Sequence, residues 1–164
     1  REGKTTAALN LAICLGRTRG SSGRVLLVDG DIANRDLTFS ITGSEDAGGR
    51  AALQPSLCMT GYAGVDLLTA PKSGDRFSVH DPEGWSRLLG ALRARYRLIV
   101  VDCPSILVSP EGLVRPRCVD ETVLGVWKDH TPIGAVQQAV GAIEGGHECT
   151  LQLWRLPTSQ LADE

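Results

Sequence analysis

Two short, unbroken apolar runs constrain this chain more than any other feature. Arg24 to Val28 (RVLLV) and Arg97 to Val101 (RLIVV) each end in an aspartate, Asp29 and Asp102. A strand with one wet face alternates apolar and polar residues, whereas a run without polar gaps fits a parallel strand covered on both faces. Helical patterns lie between such runs. From Thr5 to about Arg17, Ala8, Leu11, Ala12 and Leu15 share one apolar face. Asp81-Pro82-Glu83 has an N-cap acid, proline at the first helical position and a first-turn carboxylate, and Trp85, Leu88, Leu89, Leu92 and Tyr96 then form one stripe. Thr131-Pro132 caps a third helix carrying Ile133, Val136, Val140 and Ile143. Val65 to Thr69, Thr122 to Trp127 and Leu151 to Leu156 read as further strands, and the Gly-, Ala- and Ser-rich stretch from Gly43 to Gly64 as loop with at most one short helix. Strands alternating with helices of about ten to fifteen residues predict right-handed βαβ units. The fold class is therefore α/β, a parallel sheet with helices on both faces.

Composition narrows the functional classes. With 164 residues, 42% of them hydrophobic and 22% charged, and with no repeat or low-complexity linker, residues 1–164 suit one domain with a sizeable core. A net charge of -2 gives no basic footprint, so no nucleic-acid partner is expected. Cys14, Cys58, Cys103, Cys118 and Cys149 form no CxxC pair and are odd in number, which disfavours zinc and a disulfide framework and fits a reducing cytoplasm. No apolar run approaches the roughly 18 residues of a membrane span. His80, His130 and His147 have no nucleophile or acid spaced with them, and Cys103 reads as a small hydrophobe rather than a reactive thiol. Arg35 and Lys128 read as solvated charges.

The chemistry lies in three short segments. Gly3-Lys4-Thr5-Thr6 opens a helix and matches the end of a G-x-x-x-x-G-K-[ST] loop, whose backbone amides and helix N-terminus face phosphate. Glu2, Gly3, Lys4, Thr5 and Thr6 are the candidate phosphate cradle. Lys4 supplies a point charge for the β- and γ-phosphates, and the Thr5 hydroxyl is placed to ligate magnesium. In an open parallel sheet, ligands bind beyond the carboxyl ends of the strands, where Asp29, Asp31 and Asp102 are delivered. Asp29 and Asp31 are two apart, so they point to one side if the strand continues. Carboxylates gathered beside a lysine-bearing loop call for a cation, and magnesium with a triphosphate supplies it.

The order GKTT, VLLVDGDIANRDL and YRLIVVDCPSIL resembles the deviant Walker A P-loop ATPases: the bacterial tyrosine kinases of capsule and exopolysaccharide biosynthesis, and the MinD and ParA positioning ATPases. The resemblance runs from Arg1 to about Ile143. It implies Walker A roles for Lys4 and Thr5, Walker A′ roles for Asp29 and Asp31, and a Walker B role for Asp102. DCPSILVSPEGLV and VDETVLGVWKDHTPIGAVQQAV look like the kinases, while Asp31, Ile32, Arg35 and Leu37 look like the MinD switch region. Two departures stand out: Ala33 replaces the arginine of a D-x-D-x-R pattern, and Tyr62 and Tyr96 form no C-terminal tyrosine cluster.

The resemblance implies a Mg-ATP-dependent protein-tyrosine kinase (a transferase) or an ATPase, with Lys4, Asp31 and Asp102 catalytic, and with Thr5, Asp29 and Asp102 on the metal. Asp31 is the candidate base. It also implies a cytoplasmic domain at the inner face of the membrane, a membrane-anchored polysaccharide chain-length or export protein as partner, and homo-oligomers. A rival is a MinD- or ParA-like ATPase; another is a non-catalytic regulatory subunit, favoured by Ala33 and the tyrosine content. The chain starts at Arg1 without methionine and without the first glycine of the loop motif. The expectation is therefore an interior strand ahead of Arg1, whose absence leaves two strand edges unpaired.

Overall fold

The computed structural model describes residues 3–18, 24–43, 56–69, 82–109, 112, 118–128, 130–143 and 148–154, the last stretch as backbone. Ten elements are present among them: α1 (Lys4–Arg17), β1 (Arg24–Asp29), α2 (Asp36–Thr42), β2 (Ser56–Met59), β3 (Val65–Thr69), α3 (Pro82–Arg93), β4 (Tyr96–Asp102), β5 (Glu121–Trp127), α4 (Ile133–Ile143) and β6 (Glu148–Trp154). Glu2, Asp81, His80, His147 and the tail beyond Trp154 lie outside the described residues.

Of the two apolar runs, β1 is buried on both faces as its composition dictates, while β4 ends the described sheet and its side chains at 98–101 are only partly buried. β1 sits between β3 and β4, parallel to both, in a sheet of order β2-β3-β1-β4. Alternate residues of β1 feed two cores. Val25 and Leu27 pack with Leu37, Val65 and Leu67 against Ala12 of α1, while Leu26 and Val28 pack with Leu68 and Tyr96 against Trp85 and Leu89 of α3. Leu26, Leu27 and Leu67 have no exposed surface, and each such side chain contributes about 1.5 to 3 kcal/mol by leaving water.

Four local expectations need correcting. The stretch read as loop contains β2, which pairs antiparallel with β3, so the sheet is mixed rather than wholly parallel. Its strand signal is only four residues long, between Pro55 and Thr60-Gly61. Tyr96 belongs to β4, not to the helical stripe, although it enters the core that α3 covers. Leu11 is half exposed, and Leu9 packs on the core in its place alongside Ala8 and Leu15. Helix α2 follows the first aspartate run and was not expected. Its start is set by Arg35 in the left-handed region (φ 54, ψ 28) and its end by Gly43 at φ 67.

β5 and β6 form a separate parallel pair. Among the described residues β4 pairs only with β1 and β5 only with β6, leaving one open edge on each. The segment before β5 joins the larger unit: Cys118 and Val119 pack against the α3-side core, and Arg93 pairs with Asp120 at 2.8 Å.

At the amino end of the sheet, Asp66 is buried and accepts hydrogen bonds from Arg24 Nε (2.6 Å), Arg24 Nη2 and the Tyr96 hydroxyl (3.1 Å). The last turn of α1 meets the turn before β3 backbone to backbone. Gly64, at φ 78, has no room for a side chain: a Cβ there stands 2.8 Å from the Gly16 carbonyl oxygen.

Candidate functional site

The parallel register brings the carboxyl ends of β1 and β4 level, with Asp29 directly opposite Asp102. The Gly30 amide donates to the Asp102 carbonyl at 2.8 Å and fixes the exit of β1 against the end of β4. Helix α1 packs on β1 and β4, and its first turn reaches this edge: Thr5 hydrogen-bonds the Asp102 carboxylate, and Lys4 lies close enough to act on it electrostatically. Gly3 caps the helix in the left-handed conformation (φ 73, ψ 16), which glycine adopts without steric cost. Among the described residues, a Cβ there meets nothing within 4 Å.

The three aspartates differ in what holds them. Asp29 is fully buried. Its Oδ2 accepts from the Thr38 amide (2.8 Å) and the Thr38 hydroxyl (2.5 Å), and its Oδ1 from the Asp31 amide (3.2 Å). The strand stops at Asp29, so the same-side expectation for Asp29 and Asp31 loses its premise. Asp31 opens a turn instead. Its carboxylate accepts from the Asn34 amide (3.1 Å) and the Asn34 side chain (2.9 Å), and its carbonyl from the Arg35 amide (2.8 Å). Asp102 is buried and is the aspartate that Thr5 touches.

Burial, above all, pushes the Asp102 carboxyl up to about 6. The neighbouring charges of Asp29 and Asp31 push the same way, and Thr5 and Lys4 oppose them. Burial also raises Asp29, against the hydrogen bonds from Thr38 and Asp31. A buried carboxylate beside two others is an arrangement that a cation relieves.

Among the described residues no group of three or more His, Cys, Asp or Glu forms a metal cage. Magnesium does not need one, since it uses one or two carboxylates and fills its other positions with water and phosphate oxygens. The hydroxyl of Thr5 and the carboxylate of Asp102 are hard oxygen donors of that kind, in direct contact at a helix N-terminus. The residues present fit the ion.

Sequence reasoning missed Thr38 and Asn34, the side chains that orient Asp29 and Asp31. A faint signal exists in the i, i+4 spacing of Leu37 and Ile41, both of which pack on the α1-side core. Arg35 is not a solvated charge: its Nε and Nη2 are buried. Cys103 is half-buried, with its Sγ 3.8 Å from the Val101 carbonyl.

The fold is that of the P-loop NTPases, and solved structures share it. The kinase domain of VpsO matches 96% of this chain and 80% of its own at 25% identity, with a TM-score of 0.71. The kinase domain of the Escherichia coli tyrosine kinase ETK matches 94% of this chain at 19% identity, with a TM-score of 0.72. The septum site-determining protein MinD of Pyrococcus horikoshii, solved with Mg-ADP, matches 90% at 22% identity, with a TM-score of 0.66. This chain spans 63% of the length of each of the last two. No protein-family model and no curated protein sequence matches it. Bacterial tyrosine-kinase domains and MinD- and ParA-like ATPases are thus its structural relatives, as its motifs anticipated.

Proposed function

We propose that this chain binds Mg-ATP and transfers its terminal phosphoryl group, as a domain similar to the tyrosine kinases of polysaccharide synthesis and export. The observation that carries this reading is the contact between Thr5, in the first turn of α1, and the buried Asp102 at the end of β4. It joins the loop expected to hold phosphate to the strand end expected to hold the ion. Lys4 and the amides of the first turn neutralise phosphate charge, and Thr5 and Asp102 hold magnesium, which when bound offsets the charge developing on the transferring group. Asp31 is the proposed base, oriented by Asn34. Asp29 supports the site from behind by anchoring α2.

The acceptor in this reading is a tyrosine hydroxyl, and the setting is the cytoplasmic face of a membrane. There the domain works as a homo-oligomer with a membrane-anchored polysaccharide chain-length or export protein. No helix among the described residues is long and apolar enough to cross a membrane, so the anchor is assigned to a partner or another segment. A second reading, an ATPase switch of the MinD or ParA type with water as acceptor, draws support from the Thr38–Asp29 tether. A short helix tied to an aspartate beside the phosphate site is suited to respond to nucleotide state.

Incubation with radiolabelled ATP and magnesium separates these readings. Phosphotyrosine supports the kinase, free phosphate alone the ATPase, and bound but unreacted ATP a regulatory subunit. Absence of magnesium-dependent ATP binding overturns all three.

A further inference from the structure

A cleft of about 300 Å³ opens at the amino end of the larger sheet, lined by Arg24, Leu57, Met59, Asp66, Arg95 and Tyr96. Strand alternation sets its apolar wall. Cys58 packs on the α1-side core, so Leu57 and Met59 face the α3 side, where the register puts Leu57 beside Leu68 and Met59 beside Asp66. Helix α3 and its apolar stripe cover Leu68 and Tyr96 on that side, yet Leu57 and Met59 stay 48% and 85% exposed. Arg24 opens β1 and Asp29 closes it, so roughly 16 Å of strand separates the cleft from the phosphate edge.

The polar side of the cleft is a cation held in place. Asp66 accepts from the Nε–Nη2 edge of Arg24 and from the Tyr96 hydroxyl, which occupies both carboxylate oxygens. The Arg24 side chain is still half exposed, and its Nη1–Nη2 edge carries further N–H donors in the same forked geometry. Arg95 is exposed in the turn between α3 and β4, close enough to Tyr96 to act on it electrostatically, and has no carboxylate partner among the described residues. Two guanidiniums against one carboxylate leave a positive charge in excess beside an uncovered apolar wall.

We propose that this cleft binds a small organic carboxylate, with the Arg24 and Arg95 guanidiniums on the carboxylate group and Leu57, Met59 and the Tyr96 ring on the apolar body. A monoanion matches the excess charge, and a concave site of this size with an apolar wall and a few fixed polar groups suits a small molecule. Asp66 holds Arg24 in place before the ligand arrives, so little side-chain freedom is lost on binding. The site is independent of the nucleotide reading above.

Met59 is the only methionine of the 164-residue chain, so its isotope-labelled methyl resonance, identified by its loss in Met59→Leu, reports on the cleft. Benzoate should shift that resonance saturably, with a dissociation constant of about 1 mM or tighter. Acetate, which lacks the apolar body, and benzyl alcohol, which lacks the charge, should bind at least about tenfold more weakly. Arg95→Gln, at an exposed position, should leave the thermal transition unchanged and weaken benzoate binding about fivefold or more. Arg24→Lys keeps a cation beside Asp66 but has no second forked edge, and it should weaken benzoate binding by a similar factor. Wild-type benzoate affinity in both Arg95→Gln and Arg24→Lys overturns the proposal. So does benzyl alcohol or acetate binding as tightly as benzoate, and so does the absence of a saturable shift at Met59.

Discussion

Asp29 and Asp102 face each other across adjacent parallel strands, yet their carboxylates serve opposite neighbours: Asp29 is bound by Thr38 of α2 and Asp102 by Thr5 of α1. The pair therefore links α1, which carries Thr5, to α2, which follows the first aspartate run.

Asp102 makes the ligand-free protein less stable as pH rises. Its carboxyl titrates near 6 when folded, against an ordinary 3.8, so the folded state disfavours the charged form. Stability is fullest below pH 4 with respect to this group and falls as pH climbs through 6; the upward shift of Asp29 has the same sign. Asp102→Asn should remove that dependence and stabilise the ligand-free chain at pH 7 by about 2 to 3 kcal/mol. The same variant should bind Mg-ATP more weakly. Denaturation in urea at pH 4, 5, 6 and 7 checks the first claim, and a slope unchanged by the substitution contradicts it.

Thr38→Val should loosen α2. It removes the hydroxyl donor from a fully buried carboxylate, at a cost of about 1 to 3 kcal/mol. Amide exchange across residues 36–42 should quicken while α3 keeps its protection. Uniform quickening across the chain would point to general destabilisation instead.

Gly64→Ala should destabilise by about 1 to 3 kcal/mol, because alanine is strained at φ 78 and its Cβ meets the Gly16 carbonyl oxygen. Gly61→Ala, where a Cβ meets nothing within 4 Å, serves as the control in the same turn. Thermal midpoints compare the two, and equal effects would refute the close approach.

Lys4→Ala should leave the fold intact and weaken ATP binding roughly ten- to hundredfold, since in the proposed site its charge is matched by the ligand's phosphate. Circular dichroism and calorimetric titration measure the two halves. An unchanged dissociation constant removes Lys4 from the phosphate site.

Asp31→Asn should leave binding nearly intact and slow phosphoryl transfer about a hundredfold or more, as expected for a general base. Single-turnover kinetics with labelled ATP decide this. Transfer at the wild-type rate ends the proposed role.

Sequence alone determined the sheet's centre and the identity of its edge. An unbroken apolar run such as RVLLV must be covered on both faces, and it and RLIVV each hand an aspartate to the end of a strand. The stripe of Trp85, Leu88, Leu89 and Leu92 was equally legible, because helical spacing is a local property. Tertiary structure alone decided what each aspartate touches. Asp29 and Asp31 are close in sequence, but the strand ends between them: Asn34 reaches Asp31 within one local turn, whereas Thr38 reaches Asp29 from the helix that starts after Arg35 in the left-handed region. The strand character of Ser56–Met59 likewise came from its partner, since four residues between Pro55 and Thr60 acquire a β conformation by pairing with β3. Local patterns report which surface a segment must bury; the partner of a buried polar group depends on chain segments brought together from elsewhere.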